Sequence, residues 1–543
     1  MACLNFKNQL DEKTKELILG MEEELKIKNK EIESKEKEIT HLKNELEYLR
    51  NQILNKNRKI FGASSERVDS SQLSFFDEAE SHSNLKEAEP TIEEITYKRK
   101  KPSKNIGKKD NLANLEKVVI EHKLDENEQF CKDCQSDLVV IGTKSKEILK
   151  YIPAKLYIEE HITYSYACRA CEKDNDKANI ITTEAPKTLL HKSMASNELI
   201  SHVINLKYQH ALPLYRQETY FNMLGANLSR QSLSNWIVSA ANELEPVYNL
   251  MKEELLKRNY IQADETVLKV LNDKGKETNK QKYMWLYKSP DKDYPIIIYD
   301  YQKTRSGSCP KNFLNGFSGY LQTDGYAGYN KVEDVKRLYC LAHIRRKFHE
   351  IIINLDKEAL KTSIAFIGFN YCTKLYKIEK ELREQHRGTE DYYEKRYKIR
   401  LEKSKPIIEE FIAYVDKEIK EAIPRSPLGK ALAYAKPLLP SFLKVFLEDG
   451  SLEIDNNSAE RSIKPFVIGR KNWLFSVSIK GAKSSASIYS IVETAKNNNL
   501  IVEKYLLYLM NNFTNIDPLD KDSLLEILPF SKSLPSDLKI QTK

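Results

Sequence analysis

The chain has 543 residues, enough for three or more domains, and 31% of them are charged, with 87 Lys+Arg against 79 Asp+Glu for a net +8. That mild excess permits a nucleic-acid partner without requiring one. No run approaches the roughly 20 apolar residues of a membrane helix, the opening MACLNFKNQLDEK lacks a basic-then-apolar leader, and eight cysteines are too few for a disulfide framework. The expectation is therefore a cytoplasmic protein with no membrane partner.

Residues 1–61 carry Ile18, Leu25, Ile32, Ile39, Leu46, Ile53 and Ile60 at a seven-residue spacing among dense Glu and Lys. Lys28, Lys35 and Lys56 interrupt the second stripe. This predicts a coiled coil with an imperfect seam, and hence a homo-oligomer. Residues 62–118 turn polar and read as a flexible linker. Its basic cluster, Lys98, Arg99, Lys100 and Lys101, suits DNA phosphates, although a solubilising charge run reads the same way.

Residues 119–185 hold two C-x-x-C pairs, Cys131/Cys134 and Cys168/Cys171, across a strand-like stretch of 33 residues. Each pair can offer two thiolates to one metal, and two pairs complete a tetrahedral Zn²⁺ site. Residues 186–258 read as helical. Within them a turn at Gly225 and a helix capped by Ser229 suggest a helix-turn-helix, with Arg230 at the start of the second helix as a DNA contact, although an ordinary helical hairpin reads the same way.

From 259 the texture changes to strand candidates: NYIQADETVLKVL, KYMWLYKS, YPIIIYDY, GYLQTD and KRLYCLAH, with a helix near Arg305–Phe313. Residues 259–343 form the first part of this core. A charged helical insertion follows at 344–452, then a closing helix and C-terminal helices at 453–513 and a tail at 514–543. The element order is that of a ribonuclease-H-like α/β domain. The whole is a multidomain α+β chain: coiled coil, zinc-ribbon-like module, helical DNA-binding segment, and the α/β domain with its helical insertion.

Three carboxylates stand out. Asp264 and Asp324 read as the ends of apolar strands, and Glu460 sits at the start of the closing helix. An oxygen-only cluster suits Mg²⁺ or Mn²⁺ better than zinc. Two such ions about 3.5–4 Å apart serve phosphodiester chemistry. Glu265, Asp300 and Asp455 are rival acids, and Glu265 should point to the opposite strand face. Cys340 and His343 form a C-x-x-H. Two ligands do not make a zinc site, so a structural role is expected for them. Arg345, Arg346, Arg461, Arg470 and Lys471 are candidate DNA contacts near the carboxylates, and Trp473 suits either a base or the core.

The stretches KIFGASSE, YIPAKLYIEEHITYSYACRACE, HALPLYRQETYF with LSRQSLSNWI, ADET, LQTDGYAGYN, CLAHIRRKF and DNNSAERSIKPFVIGRKNWLF resemble, in order, the large transposases of the insertion sequence 66 family. The resemblance implies a DDE-type transposase with Asp264, Asp324 and Glu460 as catalytic and metal-binding residues. It would bind the inverted-repeat ends of its element, expose 3′-hydroxyls and join them to target DNA. It further implies a bacterial, nucleoid-associated protein with small accessory proteins encoded beside it. The residues themselves also admit a ribonuclease-H-like nuclease or resolvase, or a catalytically inactive zinc-ribbon regulator.

Overall fold

The computed structural model describes residues 154–167 and 180–540, apart from short gaps at 274–275, 278–280, 291–293 and 354, together with Val119 and most of 20–35. The chain divides into two units, Ile92–Glu159 and the remainder. In the first, the described residues have no regular secondary structure and are mostly exposed. In the second, the described residues between 20 and 35 are helical, and Met21, Leu25 and Ile27 are exposed. Ile18, Ile32, Ile39, Leu46, Ile53 and Ile60 lie outside the described residues, as do Lys98–Lys101 and all four cysteines of the C-x-x-C pairs.

A two-stranded ribbon, β1 (Ser165–Ala167) and β2 (Ile180–Thr182), precedes four helices: α1 (Asn197–Tyr208), α2 (Leu214–Met223), α3 (Arg230–Glu243) and α4 (Glu245–Leu256). Gly225 takes a φ of +90°, which only glycine adopts readily, and this lets the chain turn after α2. The Ser229 side chain accepts from Ser232 N and caps α3.

The core sheet contains β3 (Tyr260–Leu268), β6 (Lys282–Lys288), β7 (Ile297–Gln302), β8 (Gly319–Thr323) and β9 (Val335–Tyr339), in the order β7-β6-β3-β8-β9. The first three strands pair antiparallel, while β8 and β9 add parallel to β3. Between β3 and β6, β4 (Val270–Asp273) and β5 (Lys276–Glu277) form a small side sheet. The short α5 (Ser308–Phe313) lies between β7 and β8. Every residue of β6 is buried, as its KYMWLYK composition allows for a strand covered on both faces. The polar residues of β3 would be costly there without partners. Gln262 Nε2 therefore donates to Gln322 Oε1 on β8 at 2.7 Å, and Tyr260 OH bonds the same oxygen.

The insertion runs α6 (Leu341–Ile352), α7 (Lys357–Thr362), α8 (Ile364–His386), α9 (Tyr392–Ile399), a π turn at Arg400–Ser404, α10 (Lys405–Glu421) and α11 (Pro427–Phe446). Phe348, Phe411, Leu432, Leu439, Phe442 and Phe446 build its core, which is continuous with Tyr260 and Leu338 of the sheet. The chain then returns through α12 (Asn457–Trp473), β10 (Ser476–Ser478), α13 (Ile479–Asn497), α14 (Val502–Phe513) and α15 (Lys521–Ile527). β10 joins the side sheet parallel to β4. Helix α13 covers the edge strand β7. Ser490 Oγ accepts from Tyr299 N at 2.8 Å, and Thr494 Oγ1 both accepts from Ile297 N and donates to Ile297 O at 3.0 Å. Two hydroxyls thus satisfy an edge that would otherwise present open hydrogen-bonding groups.

Two sequence expectations shift here. Asp264 lies at the middle of β3 rather than its end, because pairing with β6 continues to Leu268 opposite Lys282. The last strand stops at Tyr339, so Cys340 precedes α6 and His343 lies on the helix.

Candidate functional site

Asp264 is the one half-buried position in an otherwise buried β3. Asp324 directly follows β8, the parallel neighbour of β3, and its Oδ1 accepts from Tyr326 N at 2.9 Å. Glu460 lies in the first turn of α12. That helix is pinned at its entry: Asn456 Nδ2 donates to Ala263 O at 2.9 Å, and Gln262 Nε2 reaches Asp455 O at 3.3 Å. The residues flanking Glu460 are therefore tied to those flanking Asp264.

Asp264 feels the charges of both other acids. Burial, then the charges of Glu265, Glu460 and Asp324, hold the Asp264 carboxyl well above the usual range. Burial pushes Glu460 up to about 7; Arg346 opposes the shift, and Asp455 and Asp324 add to it. Packed anions of this kind are the setting in which a bound cation is stabilising.

The rival acids have other partners. Glu265 is buried, and its carboxylate takes Arg305 Nε and Nη2 at 2.7 Å and Tyr329 OH at 2.5 Å. Arg305 Nη2 also stands 4.0 Å from Asp324 Oδ2. Asp300, on β7, accepts from Gln302 Nε2 at 2.7 Å. Asp455 accepts from Tyr376 OH at 2.9 Å and from Asn457 N at 3.1 Å, so it organises the entry to α12. Arg305 and Arg337 were not singled out from sequence. Arg337 Nη2 donates to Thr323 Oγ1 at 2.6 Å and to Asp324 O at 3.3 Å, which fixes the backbone at Asp324.

The candidate DNA contacts separate by environment. Arg230, Arg461 and Lys471 are exposed. Arg345 is half-buried, with its guanidinium 4.5 Å from the centre of the Phe369 ring. Arg346 is buried beside Glu460. The expectation that Arg470 faces DNA is corrected. It is 6% exposed and its guanidinium bonds Thr266 Oγ1 and Val267 O, tying the end of α12 to β3. Trp473 packs edge-on against Phe466 at 5.6 Å, the core alternative of its two readings.

Cys340 and His343 acquire a third neighbour that sequence spacing could not supply. Their donor atoms and a Glu460 oxygen all lie within 4.8 Å of one another. His343 Nδ1 is 4.0 Å from Glu460 Oε1.

A carboxylate-lined α/β core followed by a helical return is thus the setting in which the family match falls. Residues 192–484 match the Transposase IS66 family, and the chain belongs to that family. Residues 128–172, which contain all four cysteines of the C-x-x-C pairs, match the zinc-finger binding domain of transposase IS66, and residues 48–120 match the Transposase C of IS166 homeodomain. Two similar chains from Sinorhizobium fredii are the uncharacterized proteins y4qI and y4jD. The first is 29% identical over 81% of this chain and 80% of its own length, and the second 29% over 74% and 77%. No solved structure matches the chain. No helix among the described residues is long and apolar enough to cross a membrane.

Proposed function

We propose that the protein is a DDE-type DNA transposase acting through Asp264, Asp324 and Glu460. It binds the inverted-repeat ends of its insertion sequence, cleaves to expose 3′-hydroxyls, and joins these to target DNA. The observation that carries this reading is that the Asp264 carboxyl on β3 feels the charges of both Asp324, at the end of β8, and Glu460, in the first turn of α12. The sheet order, with three antiparallel strands and two parallel additions, supports the ribonuclease-H-like reading of the core.

The donor set fits Mg²⁺ or Mn²⁺: it is all oxygen, and burial plus mutual repulsion raises two of the three carboxyls. Two such ions, when bound, activate the attacking hydroxyl and stabilise the leaving oxygen. Asp264 would share both ions, with Asp324 and Glu460 holding one each. Arg337 and Arg305 keep Asp324 in place, while Asn456 and Gln262 fix the approach of α12. Zinc is held by Cys131, Cys134, Cys168 and Cys171. Residues 1–61 pair chains as a coiled coil. Arg230, Arg461 and Lys471 are DNA contacts in keeping with their exposure, and the basic cluster Lys98–Lys101 adds to them from sequence. Small accessory proteins and a cytoplasmic, nucleoid-associated location follow from the same reading.

The test is cleavage and joining of a labelled element end in Mg²⁺. Asp264→Asn, Asp324→Asn and Glu460→Gln should each abolish both steps while gel-shift binding persists, and Asp300→Asn should stay active. Robust joining by Asp324→Asn refutes the assignment. Cleavage without joining of a pre-cut 3′-hydroxyl end would favour a nuclease or resolvase instead.

A further inference from the structure

We propose that Cys340, His343 and Glu460 form a binding site for a soft divalent cation, zinc, separate from the four-cysteine module. The geometry is local on one side and long-range on the other. The C-x-x-H spacing puts Cys340 immediately before α6 and His343 in its first turn, so both donors sit at the same helix end. The first turn of α12 brings Glu460 to them from across the insertion.

The donors are poised for a ligand. Cys340 is 1% exposed and His343 8%. Both His343 Nδ1 and Glu460 Oε1 are buried with no hydrogen-bond partner. Such atoms are costly to bury unpaired, and here two of them stand 4.0 Å apart beside a thiol. Asn456 N donates to Cys340 Sγ at 3.2 Å, the backbone hydrogen bond that supports a metal thiolate. Thiolate, imidazole and carboxylate form a zinc donor set and a poor magnesium one. Zinc bonds of about 2.0–2.3 Å would draw these donors, now within 4.8 Å, to roughly 3.5 Å apart. The Cys340 proton leaves to solvent as the metal binds, and a fourth position stays open for water.

Glu460 belongs to both sets. Zinc bound here competes for a carboxylate that the proposed chemistry requires, so the site is inhibitory; this part rests on the catalytic reading above. Micromolar Zn²⁺ should slow Mg²⁺-dependent joining by the wild-type protein by about tenfold or more and slow Cys340→Ala far less.

The deciding measurement does not use activity. The full chain, exchanged into buffer containing Zn²⁺ and then desalted, is analysed for metal by mass spectrometry. Wild-type protein should carry one zinc more than Cys340→Ala, His343→Gln or Glu460→Gln, with melting temperatures measured alongside. Glu460 is partly exposed, which makes Glu460→Gln the variant least exposed to a folding defect. Equal zinc content in wild type and in every variant that melts normally overturns the site. If Glu460→Gln loses that zinc yet still joins DNA, the metal site stands and the catalytic reading falls. If joining is lost with zinc content unchanged, the reverse holds.

Discussion

Glu379→Gln should destabilise the helical insertion by several kcal/mol and loosen the entry to α12. Glu379, on α8, is 0% exposed, and its carboxylate takes Arg396 Nε at 2.8 Å and Nη2 at 2.7 Å, with Arg400 Nε at 2.7 Å and Nη2 at 3.1 Å. Burial alone would raise its carboxyl, but Arg400 and Arg396 outweigh burial and hold it at about 2, against an ordinary 4.5. That gap corresponds to about 3 kcal/mol. Removing the carboxylate also leaves Arg400 buried without a counter-charge, and breaking a buried pair this way costs about 3–5 kcal/mol. The two routes agree. The melting temperature should fall by roughly 10 °C. Because the folded value is depressed, this stability is present above pH 4.5 and is lost as pH falls toward 2. The same guanidiniums hold the segment leading to α12: Arg400 donates to Asp449 O at 3.2 Å and Leu452 O at 2.8 Å, and Arg396 to Gly450 O at 3.2 Å and both Glu453 oxygens at 2.9 Å. Strand joining should therefore weaken even well below the melt. A Glu379→Gln protein that melts within about 2 °C of wild type refutes the reasoning.

Thr494→Val keeps the shape of α13 but strands the Ile297 N–H and C=O, and should cost about 1–3 kcal/mol, with faster hydrogen exchange at Ile297 as the check. Arg470→Ala should lower the melting temperature, and Lys471→Ala should weaken DNA binding at all sequences; an Arg470→Ala protein with wild-type stability contradicts the buried placement. Without added divalent cation, Glu460's raised carboxyl confers stability that is full below 4.5 and lost as pH rises through about 7. Wild-type protein should therefore melt lower near pH 8 than near pH 5, and Glu460→Gln should flatten that dependence; a flat wild-type profile speaks against it. Cys168→Ser should abolish zinc binding at the four-cysteine module and unfold it, seen as a drop in zinc content and new protease sensitivity at residues 128–172.

The strand succession was legible because its apolar runs are separated by clear breaks, and the α3 cap because Ser229 has no other plausible role before a periodic segment. The three acids were legible as members of separate elements. Asp264's central position was not, since Thr266 and Val267 extend a strand whose end the polar Asp264 and Glu265 had suggested. Arg470 carries a signal in its spacing. It falls three and four residues after Val467 and Phe466 and seven after Ile463, all buried, so it continues the inward stripe of α12 while Lys471 does not. Arg305 and Arg337 had no local signal, because their partners come from other strands. The meeting of Cys340 and His343 with Glu460 is set by folding across the whole insertion, which no spacing encodes.

The position of α12 is fixed from two independent sides, and this gives the insertion a physical reason. From the sheet, Gln262 and Asn456 bond across the gap between β3 and the residues before the helix. From the insertion, Tyr376 on α8 donates to Asp455 Oδ2 at 2.9 Å, and the Arg396/Arg400 pair grips residues 449–453. Between these anchors the chain has little freedom at Asp455 and Asn456. The side chain at Glu460, one turn on, inherits that placement. A carboxylate among other buried acids would otherwise relax away from them, because both burial and repulsion oppose its charge. The buried ion cluster of the insertion and the amide ladder of the sheet act in the same direction: they hold α12 where its first turn must accept an electrostatically unfavourable position.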